Sequence, residues 1–176
     1  MPLQSRIPLI IGLLIAVLLQ LVFAPVITVG NAMPNFILAY VIALAFANKE
    51  GTNLLIAFFG GLVYDLSGIG PVGAMALICV VAMLVCSTVR RIVDSDGIIM
   101  PLIMLAIACF ISEFLYGALM IACGIDVGLL DALLFRMLPC ALYDIVIAII
   151  AYLLCIRFLL RERDASEMRI IDNGVD

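Results

Sequence analysis

The chain has no histidine and no tryptophan, and few charges of either sign. Without histidine it lacks the side chain that most often serves as general base and metal ligand. Charged residues make up 12% of 176 residues, where a soluble domain carries about 25%. Hydrophobic residues reach 67% and mean hydropathy is +1.36. A soluble globular domain is excluded, and the composition is that of a polytopic integral membrane protein. The six cysteines, Cys79, Cys86, Cys109, Cys123, Cys140 and Cys155, fall singly in apolar stretches with no Cys-x-x-Cys spacing. They read as small packing residues rather than a metal or disulfide site. The net charge of −4 carries little meaning, because the charges are segregated by position.

What is present is a series of apolar runs separated by turn residues. They predict an all-α integral membrane protein, a six-helix bundle with helices over 7–24, 35–47, 53–65, 71–89, 98–123 and 130–160, and a short polar tail over 161–176. The first run follows Arg6 and could imitate a secretory signal, but Pro25 directly after it argues for a retained helix. The second and third runs are short against the roughly 17–25 residues of a span. They are tilted, extended by their loops, or a re-entrant hairpin. Pro71 suits a first-turn position of the fourth helix. Pro139, inside the sixth, is expected to kink it by removing a backbone donor.

Basic residues set the orientation. With the N-terminus in the cytoplasm, Arg6, Lys49, Arg90, Arg91, Arg157, Arg161, Arg163 and Arg169 all fall inside, and the three outer loops hold no Lys or Arg. This bias puts both termini in the cytoplasm.

The stretch from Gly60 to Gly73 organises the rest. It places Asp65 at the end of an apolar helix, ahead of a turn rich in Gly and Pro. Gly68-Ile69-Gly70-Pro71-Val72-Gly73 has the form Gly-x-Gly-x-x-Gly, but a dinucleotide site needs a preceding strand and a βαβ unit. Here glycines such as Gly68 and Gly73 serve a turn, supplying positive φ and close approach. Ala57, Gly60 and Gly61 line the third helix with small residues for internal helix packing.

Four ionisable groups lie within or beside the spans: Asp65, Glu113, Arg136 and Asp144. Such groups face a bundle interior rather than lipid. On the proposed topology Asp65, Glu113 and Arg136 fall in the outer half and can form one polar cluster, with Asp65 the expected partner of Arg136. Asp144 falls nearer the midplane. The cluster is a structural ion pair, a polar pocket or a proton path. No nucleophile paired with a base, no metal constellation and no phosphate loop occurs, so no catalytic activity, cofactor or nucleic-acid partner is expected.

These residues also carry a family likeness. Gln20, Pro34-Asn35, the segment Gly60-Gly61-Leu62-Val63-Tyr64-Asp65-Leu66, the segment Pro71-Val72-Gly73-Ala74-Met75-Ala76-Leu77, and Arg136, Leu138-Pro139 and Ala141-Leu142-Tyr143 resemble the MreD family of bacterial rod-shape-determining membrane proteins. Asp144 departs from that family's pattern, which often has Asn or Thr after the Tyr, so no role is carried onto it. The resemblance implies a non-enzymatic scaffold of the cell-wall elongation complex in the bacterial cytoplasmic (inner) membrane. Its implied partners are membrane lipid, a single-span MreC-like protein, MreB filaments, and RodA with its transpeptidase. It also implies a fold similar to the substrate-binding component of energy-coupling-factor transporters. The alternative function is therefore that of a membrane component binding a vitamin or other small molecule for transport.

Overall fold

A computed structural model describes residues 7–28, 32–48, 53–68, 70–93, 99–124 and 137–172, with side chains to residue 157. Six helices account for most of them: α1 (Ile7–Val22), α2 (Phe36–Ala47), α3 (Leu54–Ser67), α4 (Ala74–Ile92), α5 (Ile99–Ala122) and α6 (Leu138–Asp172). Among the described residues there is no β-strand. The apolar part of α6, Leu138–Arg157, together with α4 and α5, is long and apolar enough to cross a membrane; α1, α2 and α3 are shorter.

The bundle is built around its shortest helix. Every residue of α2 from Ile37 to Phe46 is buried, and the helix touches α1, α3, α4, α5 and α6. Twelve residues rise only about 18 Å, well short of a hydrocarbon core of about 30 Å. The helix tolerates this because protein, not lipid, surrounds its ends, so their polar groups need not meet hydrocarbon. α1 shows the opposite pattern. Only Leu9, Ala16 and Gln20 are buried, and Leu13 packs partly against the core. The spacing 9, 13, 16, 20 is one narrow helical stripe, and Ile10, Leu14, Leu18 and Leu21 on the other side are exposed.

Close helix approach depends on the small residues of α3. A Cβ added at Gly61 would stand 2.5 Å from the Ala76 Cα of α4, and one at Gly60 would stand 3.0 Å from Ile37 of α2 and from Leu13 of α1. The Tyr64 and Tyr116 rings meet edge to face at 6.0 Å and tie α3 to α5.

One proline expectation is corrected. α4 starts at Ala74 with Gly73 as N-cap, so Pro71 lies in the turn before it. The Pro71 carbonyl accepts the Ala74 N–H at 3.2 Å. Pro139 is the second residue of the described α6; the turn before it, where the expected kink falls, lies outside the described residues. Residues 130–136, expected to begin that helix, lie outside the described residues, and α6 continues to Asp172 through positions expected as tail.

Candidate functional site: two helix N-termini capped by other helices

A helix begins with four backbone N–H groups that have no partner inside the helix. In water they are solvated; inside an apolar bundle each must find an acceptor. α2 and α4 both start inside the bundle, and the buried polar residues answer that need.

At α4 the N-cap is Gly73, held at φ 99°, and it has no side chain to offer. Asp65 from the end of α3 takes its place. Oδ2 accepts the N–H groups of Gly73 at 2.9 Å and Ala76 at 3.0 Å, and Oδ1 accepts that of Met75 at 3.0 Å. With Ala74 bound to Pro71 and Leu77 bound to Gly73, every N–H from Gly73 to Leu77 is satisfied. A capping side chain ordinarily serves the second and third helical residues, here Met75 and Ala76. The anionic end of α3 also faces the positive end of the α4 dipole, which is favourable. Gly61 sits one turn before Asp65 on the same face of α3, and its missing Cβ lets α4 come close enough for this contact.

At α2 three side chains share the work. The Asn35 side chain accepts the Leu38 N–H at 2.9 Å. Gln20 from α1 accepts the Phe36 N–H at 2.7 Å and donates to the Pro34 carbonyl at 3.2 Å. Asp144 from α6 accepts the Asn35 N–H at 2.7 Å. The Asn35 amide donates to the Met75 sulfur at 3.6 Å, which places the two capped N-termini side by side. The polar layer is enclosed: Gln20, Asn35, Asp65, Glu113 and Asp144 are all buried, Asp144 completely.

Of the residues singled out from sequence, Asp65 and Glu113 belong to this layer. Cys79 of α4 is a neighbour of both, and Glu113 adjoins Asp144. Arg136 lies outside the described residues; the described partners of Asp65 are backbone N–H groups. Pro34 is buried and supplies a carbonyl. Gly73 has the positive φ expected of the turn, whereas Gly68 is extended, with φ −104° and ψ −179°. Gly70 lies over the Tyr116 hydroxyl, where an added Cβ would come within 2.6 Å.

Asp144 is the ionisable residue to which the sequence assigns no role. It is the seventh residue of α6 and reaches the α2 N-terminus. The signal was available, since an acid in an apolar span is a functional candidate on that ground alone. Gln20, Asn35, Asp65 and Asp144 each hold backbone N–H groups at a helix start, so what they do here is anchor helix ends.

No curated protein and no solved structure gives a match to the chain. The sequence profile of the family described as rod shape-determining protein MreD matches residues 4–162, a range that takes in both capped N-termini and every residue that closes them, and the chain belongs to the MreD family.

Proposed function

We propose that the protein is a non-enzymatic membrane scaffold of the cell-wall elongation machinery, joining a single-span MreC-like partner, MreB and the RodA synthase with its transpeptidase. Family membership ties it to rod-shape determination in a membrane, and the match over residues 4–162 is the observation that carries the reading. The arrangement of polarity supports it. Gln20, Asn35, Asp65 and Asp144 of the interior are bound to the protein's own helix ends, while the outward residues, such as Leu14 of α1, Phe59 of α3 and Ile107 of α5, are exposed and apolar. A bundle closed in this way has its lipid-facing surface to offer to other membrane helices.

The membrane proposed is the bacterial cytoplasmic membrane, with both termini inside, because the loop Lys and Arg all fall on that side. The polar layer then lies in the outer half. Reporter fusions at positions 94 and 126 report opposite compartments on this topology; the same compartment for both overturns it. Depletion in a rod-shaped host makes cells round, and the MreC-like protein co-purifies in detergent. Rods that persist through full depletion, with a vitamin requirement appearing, replace the scaffold by the transport reading.

A further inference from the structure

Asp144 is fully enclosed, and its two oxygens are in different situations. Oδ1 accepts the Asn35 N–H at the head of α2. Oδ2 is buried and accepts no hydrogen bond among the described residues. The group within hydrogen-bonding reach is the carboxyl of Glu113, from α5. Two carboxylates offer only acceptors to each other, and like charges in contact within a dry interior repel. A single proton resolves both problems, because it turns one acid into a donor toward the other.

We infer that Glu113 and Asp144 form a proton-binding site, in which one proton between Asp144 Oδ2 and Glu113 closes a hydrogen bond from α6 to α5 while Oδ1 holds the start of α2. The proton belongs to the pair. It completes a three-helix junction at the centre of the bundle, where α2 packs against both α5 and α6. Its loss leaves two adjacent negative charges at that junction and drives α5 and α6 apart.

Among the described residues the surroundings are thiols, an amide, a phenol and the Asp65 carboxyl group. α4 presents Cys79, which has both Asp65 of α3 and Glu113 as neighbours. α5 adds Cys109, beside Cys86 of α4. α2 presents Asn35, and its Tyr40 hydroxyl is engaged by the Leu9 carbonyl of α1. Arg90 and Arg91 end α4 on the far side. Arg157 is 13 residues beyond Asp144, about 20 Å along the helix. Arg136 lies outside the described residues.

A folded chain that keeps a proton which the unfolded chain releases at neutral pH becomes less stable as pH rises. The test compares the wild type with Asp144→Asn and Asp144→Ala, purified in detergent, by thermal melting from mildly acidic to mildly alkaline buffer and by infrared spectroscopy. The wild type is expected to show the carbonyl band of a protonated carboxyl group at neutral pH and to melt earlier in alkaline buffer. Asp144→Asn keeps an acceptor for Asn35 and supplies a permanent donor toward Glu113. It is expected to lose the band, to melt near the wild-type temperature at neutral pH, and to show a flatter pH dependence. Asp144→Ala melts far lower. Absence of the protonated band in the wild type overturns the inference without reliance on any variant. So does an Asn variant as unstable as the Ala variant, or a wild type stabilised by sodium or potassium at alkaline pH, which marks a cation site instead.

Discussion

Replacing Asp65 with alanine should be among the most damaging single changes available in the polar layer. The carboxylate takes three N–H groups at 2.9–3.0 Å, and the Met75 and Ala76 contacts are buried. A buried donor stripped of its acceptor costs about 1–3 kcal/mol, so these two account for about 2–6 kcal/mol. The partly buried Gly73 N–H adds less. The lost charge at a helix N-terminus adds about 0.3–1 kcal/mol. We expect Asp65→Ala to cost about 3–6 kcal/mol, enough to lower the melting temperature by on the order of 10 °C. Asp65→Asn separates shape from chemistry. Its amide keeps one acceptor oxygen, which can serve Gly73 and Ala76, and turns its NH2 toward the Met75 N–H, so an intermediate loss follows. The double swap Asp65→Arg with Arg136→Asp should restore nothing, because arginine offers only donors to a row of donors. The assay is thermal melting in detergent followed by fluorescence-detected size exclusion. An Asp65→Ala protein within about 1 kcal/mol of wild type refutes the capping argument, as does an Asn variant with no loss at all.

Gln20→Leu keeps bulk while removing both the acceptor for Phe36 and the donor to Pro34; it should cost about 1–3 kcal/mol, and an unchanged melting temperature would show that water or another group can serve the α2 terminus. Gly61→Ala places a Cβ 2.5 Å from the Ala76 Cα and 2.7 Å from the Met75 carbonyl oxygen, so α4 must shift and the Asp65 contacts lengthen. Its loss of folded yield should be severe and should not add to that of Asp65→Ala, since both act on one contact; full additivity would separate the two residues.

Much about this protein follows from sequence alone. Hydrophobic length, charge scarcity and turn residues are local properties, and they sufficed for the membrane class, six helices and breaks near Pro25, Gly51, Gly68 and Gly97. The residues of the family likeness were also legible, because they are polar or conformationally special points in an apolar background. Their purpose was not. The described partners of Asp65 are three backbone N–H groups of the helix that follows, while Arg136, its expected partner, lies outside the described residues. Backbone donors are the same at every position and leave no trace in composition. The central place of α2 was equally hidden, since in lipid the inward and outward faces of a helix are both apolar and amphipathic periodicity loses its meaning. Asp144 reaches Asn35 across 109 positions of chain. Only the packing of α6 against α2 brings them together, and that contact depends on helix faces that apolar sequence does not mark.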